Sequence, residues 1–413
     1  MRIAIVSRNA RRIGGVESYL AVVARELTAA GHDLALLHEV DVPVDRPPAM
    51  SVDGVPRWCV ADLGAEQAVD SLRRWAPDVI YAHGIVDVAL EHATLSIAPV
   101  VFHAHGYHGT CISGGKMFQS PRPRPCQRRF GAACLALYYP RRCGGWHPRT
   151  MWREYRRQRR RQQFLEGCTT IVTASRHLAA EYANHIASLR IVVLPLPIGD
   201  ISDHGPAAPQ KTGASLRDEW RLLFLGRMDR FKGGHMFLHA LPTVAAAARR
   251  PIRVTFAGDG PEVGRLSSLA RELEAATAGL TIGFVGWVGA EAREDLFKSS
   301  DLLVVPSVLP EPFGLVGLEA ARYGIPAAAF AVGGIPEWLD SGVSGRLAPG
   351  DPPTVGGLAT AIVDCLRDPE TYRRLSAGAF AAAARSTRAG HARELCDILS
   401  KAADRRHAPS ASV

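Results

Sequence analysis

Two glutamates, Glu311 and Glu319, stand eight positions apart in PSVLPEPFGLVGLEAARYGIP, residues 306–326. Glu311 precedes Pro312 and is therefore expected in a loop, while Phe313, Gly314 and Leu315 read as the start of a helix that carries Glu319. On a regular helix that spacing separates the carboxylates by about 12 Å along the axis. They cannot share one small group, but they could grip the two ends of an elongated ligand whose charged middle faces the amides near Gly314 and Leu315. Two glutamates at this interval occur by chance in many proteins, so the flanking residues have to carry the argument.

Those flanks contain further chemistry. In LGRMDRFKGG, Arg227 offers paired hydrogen bonds, Lys232 a point charge and the glycines close backbone approach, a combination suited to a diphosphate. The Walker spacing is missing, which counts against a P-loop ATPase. Near the start, Ile13-Gly14-Gly15-Val16-Glu17 joins a strand to a helix. Gly14 and Gly15 suit either a phosphate-facing turn or an ordinary tight turn, and the pattern is not the G-x-G-x-x-G of dinucleotide binding. VVFHAHGYHGT brings His103, His105 and His108 together, but with no partnering carboxylate in view a metal is not indicated. Cys111, Cys126, Cys134 and Cys143 follow in an arginine-rich stretch; their spacing is not C-x2-C, and a zinc or redox site competes with ordinary thiols.

To position these groups the chain needs strands that end just before them. RIAIV, DLALLH, PDVIYAH, PVVFHAH, TTIVTAS and RIVVLP are apolar along their length, as strands buried on both faces are. Helical patterns alternate with them, predicting a parallel, doubly wound sheet. Residues 201–218, rich in Pro and Gly, read as a linker. The series restarts with RLLFLGR, RVTFAGDG, LTIGFVG, DLLVVPS and AAAFAV, and after Pro352 the chain reads as helical. The expected organisation is a first domain over 1–200 with an insertion at 106–150, a second over 219–380, and a last helix over 381–413 packing back on the first.

The chain has 413 residues, 47% hydrophobic and 22% charged, the balance of a folded globular protein. The opening apolar run is too short for a signal peptide, and no run is long enough to cross a membrane, so a cytoplasmic place is expected. The net charge of +9 concentrates between residues 121 and 163. WREYRRQRRRQ, with its aromatic neighbours, could lie on anionic lipid at the inner face of the cell membrane or be a solvated helix face. Nucleic-acid binding through the same arginines would not need the Glu311 region, and no nucleic-acid partner is expected.

PSVLPEPFGLVGLEAARYGIP followed by GGIPE, with LGRMDRFKGG and AGDGP upstream and IGGVE near the start, resembles the retaining glycosyltransferases of family 4, of GT-B fold. The resemblance implies two Rossmann-like α/β domains with an interdomain cleft, and transfer of a sugar from a nucleoside diphosphate sugar, UDP or GDP, with no further cofactor or metal. It implies that Glu311 contacts the transferred sugar, Glu319 the ribose, Arg227 and Lys232 the diphosphate, and Trp287 and Val288 the base, with the Gly14–Gly15 loop closing over the diphosphate. His105 would sit near the reacting sugar; His103, His108 and Lys116 would border the acceptor, a glycan, lipid-linked saccharide or small molecule. Such an enzyme would serve polysaccharide, glycolipid or glycosylated-metabolite synthesis. A GT-B epimerase or phosphorylase is the nearest competitor, the latter needing a cofactor lysine that the sequence does not identify.

Overall fold

The computed structural model describes residues 1–11, 14–42, 48–50, 54–186, 190–198, 218–248 and 250–405. Ile13 and, except for Asp218, the expected linker at 201–218 lie outside the described residues. In chain order the strands are β1 (Arg2–Asn9), β2 (Asp33–Val40), β3 (Arg57–Cys59), β4 (Val79–Ala82), β5 (Val100–Ala104), β6 (Met117–Phe118), β7 (Arg124–Pro125), β8 (Thr170–Thr173), β9 (Arg190–Val193), β10 (Trp220–Leu225), β11 (Ile252–Ala257), β12 (Leu280–Gly286), β13 (Leu302–Val305), β14 (Ala327–Phe330) and β15 (Gly345–Ala348). The chain forms two units, Met1–Lys116 with Gln127–Gly199 and Thr387–Val413, and Met117–Cys126 with Asp200–Ser386.

The first unit is a seven-stranded sheet in the order β3-β2-β1-β4-β5-β8-β9, parallel throughout. Alternation along β1 sends Ile3 and Ile5 to one core and Ala4 and Val6 to the other, which is why this strand is buried on both faces. On the Ile3 side, Leu20, Val23 and Leu27 of the helix Gly15–Ala29 meet Leu395, Leu399 and Ala402 of the last helix, Arg388–Asp404. The helix before it, Pro369–Ala384, belongs to the second unit, so the chain passes from one unit to the other at 386–387 rather than at 381.

The second unit is a six-stranded parallel sheet in the order β12-β11-β10-β13-β14-β15, with a small antiparallel hairpin of β6 and β7 also assigned to it. β10 pairs with both β11 and β13, so strands are added in one direction from β10 to β12 and in the other from β13 onward. A crevice opens beyond the carboxyl ends at such a reversal, because the loops that follow the two central strands part to opposite faces.

Candidate active site

The residues that follow β10 and β13 meet at that reversal. After β10, Asp229 caps the single turn Arg230–Lys232, its Oδ1 accepting from the amides of Phe231 (2.9 Å) and Lys232 (3.1 Å). The Val308 amide donates to the Phe231 carbonyl at 2.9 Å, stitching the two loops together. Gly233, at φ +69°, completes the approach, since a Cβ there would lie 1.8 Å from the Pro306 carbonyl oxygen.

Lys232 Nζ is thereby brought to 2.6 Å from Glu311 Oε1, and the Ser307 hydroxyl donates to the same oxygen at 2.6 Å. Both donors act on Oε1; Oε2 forms no hydrogen bond among the described residues. Glu311 is 7% exposed, and Lys232 and Ser307 supply the hydrogen bonds that burial denies it from water. Its backbone is fixed as firmly. The Gly334 amide donates to the Glu311 carbonyl at 2.7 Å. Gly333, at φ +58°, lies so close that a Cβ would meet the Glu311 carbonyl oxygen at 2.2 Å and its nitrogen at 2.4 Å.

The helix carrying Glu319 differs from expectation. Phe313 to Leu315 are not helical; the helix runs Val316–Ala321, because Gly314 adopts φ +89° and turns the chain. The regular-helix spacing of about 12 Å therefore does not apply. Phe313 is buried, and its carbonyl accepts from the Trp338 indole at 2.7 Å. Glu319 is buried with Arg293 Nη1 3.4 Å from its carboxylate; burial pushes the carboxyl pKa up, and Arg293 and Arg322 oppose that rise. Arg227 is exposed, 3.7 Å from Asp229, and Trp287 and the half-buried Val288 follow Gly286 at the end of the edge strand β12. Ser307, Arg293 and Trp338 were not singled out by the sequence. Ser307 stands two residues after the strand end and Trp338 directly after GGIPE, which are the signals that could have found them.

Residues 13–199 match Glycosyltransferase Family 4, and residues 219–368 match Glycosyl transferases group 1. Each half is thus similar to a glycosyltransferase domain. D-inositol 3-phosphate glycosyltransferase of Frankia alni is 27% identical over 404 residues, 90% of either chain. The Corynebacterium kroppenstedtii protein of the same name is 32% identical over 220 residues, 50% of this chain and 47% of its own. The alignments with the first curated relatives span about a third to a little over half of those proteins' length. Among solved structures, Anabaena HepE in complex with UDP and glucose superposes with a TM-score of 0.66 at 18% identity, covering 97% of this chain and 100% of its own. The chain has the two-domain GT-B fold.

In the first unit, Gly14 is extended and precedes Gly15, the first residue of its helix. Glu17 turns back on the amides of Gly14 and of its own residue; burial raises its pKa and these hydrogen bonds oppose the rise. Three of the expected acceptor contacts need correction. His103 is wholly buried in β5. Lys116 is 2% exposed and pairs with Glu181 at 2.6 Å and with the Arg128 carbonyl, so it neutralises a buried carboxylate instead of facing a ligand. His108 Nε2 is taken by Glu91 at 2.9 Å, and Arg161 stands 3.6 Å from the other Glu91 oxygen.

His105 is half-buried at the end of β5, and burial lowers its pKa to about 4. Its ring faces His83, which follows β4 and which the sequence reading passed over, although PDVIYAH shows it at a strand end. No three of the insertion's cysteines form a metal-ligand group among the described residues.

Proposed function

We propose that this protein is a retaining family 4 glycosyltransferase that moves a sugar from a nucleoside diphosphate sugar to an acceptor hydroxyl. The observation that carries the reading is the convergence of Lys232 and Ser307 on one oxygen of Glu311 at the reversal of the second sheet. The other Glu311 oxygen is available to accept from a hydroxyl of the transferred sugar. Lys232 has three N–H donors and spends one on Glu311, leaving two for phosphate oxygens. Arg227, exposed near Asp229 on the same loop, adds the paired donors that suit a diphosphate. Glu319 would accept from the ribose hydroxyls and Trp287 would lie against the base. UDP is the favoured nucleotide, supported by the likeness to HepE, whose structure holds UDP and glucose.

Retention follows from displacement on one face. The bond from the anomeric carbon to the diphosphate oxygen breaks, the acceptor oxygen bonds to the same face, and its proton passes to the departing diphosphate. Lys232 and Arg227 stabilise the charge that develops, so the step needs no metal at the diphosphate. The test is thermal stabilisation by UDP, GDP and ADP and their sugars, which raises apparent stability by mass action. One nucleotide should shift wild type and shift Glu319→Ala less, and Glu311→Ala should fold but transfer no sugar. Unchanged turnover in Glu311→Ala would overturn the role given to that residue.

A surface reading accompanies this one. The helix Pro148–Gly167 and the turn before it expose Trp146 (70%), Trp152 (51%) and a run of arginines, while Phe164 and Leu165 face the core. This combination supports peripheral attachment to anionic lipid and suits a lipid-linked acceptor. Sedimentation with anionic vesicles at low salt tests it; recovery in the supernatant would sink it.

A further inference from the structure

Around the ends of β4 and β5 a chain of hydrogen bonds determines where one buried imidazole keeps its proton. His391 Nδ1 lies 2.9 Å from the Pro195 carbonyl, which only accepts, so Nδ1 carries the hydrogen. Burial lowers the His391 pKa to about 4, so at neutral pH its Nε2 is a lone pair. The Tyr19 hydroxyl, 2.9 Å away, must donate to it. Tyr81, 2.7 Å from Tyr19, must then donate to Tyr19. With both hydroxyl hydrogens used, the 2.5 Å contact between Tyr81 and His103 Nδ1 requires His103 to donate. His103 Nε2 is left as a lone pair, buried, with no hydrogen-bond partner among the described residues.

His83 repeats the pattern. It is 6% exposed, and its Nε2 also lacks a partner among the described residues. One ring nitrogen each from His83, His103 and His105 lies within 4.8 Å of the others. The Nδ1–H of His103 rests on the Tyr81 oxygen, as the second nitrogen of a metal-bound histidine rests on an acceptor. We propose that His83, His103 and His105 form a binding site for a divalent transition metal, Zn²⁺ by its ligand set. The rings of His103 and His105 are stacked, with centroids 4.4 Å apart and planes within 4°. In a tetrahedral site with bonds of about 2.05 Å, ligand nitrogens are about 3.4 Å apart. Binding therefore turns His105, the half-buried ring, out of the stack. The site shares no residue with Glu311, Lys232, Ser307, Arg227, Glu319 or Trp287, which are in the other unit.

The experiment uses untagged full-length chain stripped by chelator dialysis, then loaded with Zn²⁺ or Co²⁺ and passed through a desalting column. Wild type and His108→Gln should retain about one ion per chain. His83→Gln and His103→Gln should retain none, and Tyr81→Phe should bind Zn²⁺ about 10- to 100-fold more weakly in chelator competition. Circular dichroism confirms that each variant is folded; should His103→Gln not fold, His83→Gln and His105→Gln carry the test. Equal metal content in wild type and His83→Gln would overturn the proposal, as would a thiolate-to-Co²⁺ charge-transfer band, which would place the ion on cysteine.

Discussion

Mild acid should weaken the first unit through His391. Its nitrogens are committed to Pro195 and Tyr19, and the surrounding hollow is lined by Val22, Val23, Glu26, Leu27, Arg388, Ala392 and Leu395. Burial lowers its pKa from 6.5 to about 4. Between those values the unfolded chain binds the proton and the folded chain does not, so stability is retained above about pH 6.5 and falls as the pH drops towards 4. At pH 5 the unfolded form is favoured by RT ln[(1 + 10^1.5)/(1 + 10^−1)], about 2 kcal/mol, against almost nothing at pH 7.5. His105, lowered to about 4 by burial, adds a similar amount in the same direction. The assay is urea unfolding of wild type and His391→Gln at pH 7.5 and pH 5 with chelator present, each unit's transition fitted separately. Whatever the variant loses at pH 7.5, its further loss on going to pH 5 should be smaller than that of wild type by about 2 kcal/mol. Equal losses would refute the assignment of a buried, neutral His391.

Gly333→Ala should lose at least about 2 kcal/mol and most transfer activity, because the new methyl carbon would meet backbone atoms of Glu311 that cannot swing aside. Thermal unfolding with a turnover assay checks both. Ser307→Ala removes one of two donors on Glu311 Oε1 and should lower kcat about tenfold, with little change in donor KM; an unaltered kcat would show that Lys232 alone suffices. Lys116→Met strands Glu181 in the interior and should cost about 3–5 kcal/mol, while the double change Lys116→Met with Glu181→Leu should recover much of that loss. Chemical unfolding of the three variants tests this, and a double variant no better than the single would contradict the buried pair.

The fold was legible where strands were apolar and followed by turn residues. β1, β4, β5, β10 and β13 announce themselves through Ile, Val and Leu, because a sheet covered on both faces leaves few positions for polar side chains. β3 and β15 did not, since RWC and GRLA lack the β-branched run and lie at sheet edges. The helix start before Glu319 was misplaced because a left-handed Gly314 cannot be told from a helical one by periodicity. Lys116 was misread for a related reason: a lysine among arginines looks like surface, and only the fold brings Glu181 to it from 65 residues away. His83 stands just after a short strand, its partner histidines lie 20 and 22 residues further on, and neighbouring strands, not spacing, unite them.

What the sequence could not contain is the reason Lys232 and Glu311 meet across 79 positions. Each lies just beyond a strand, and the two strands are neighbours only because the sheet reverses its order between β10 and β13. Two glycines convert that adjacency into contact. Gly233 lets the Lys232 turn pass the end of β13, and Gly333, after β14, presses the loop of Glu311 from the other side. The loop after each of three adjacent strands thus supplies one part: a cation, a carboxylate and the backbone that holds it. A side chain at either glycine would leave the motif letters unchanged at every charged position and still separate the charges. The glycines in KGG and GGIPE are therefore as much part of the site as the residues that would touch a ligand, and they act through the approach of backbones, not through chemistry of their own.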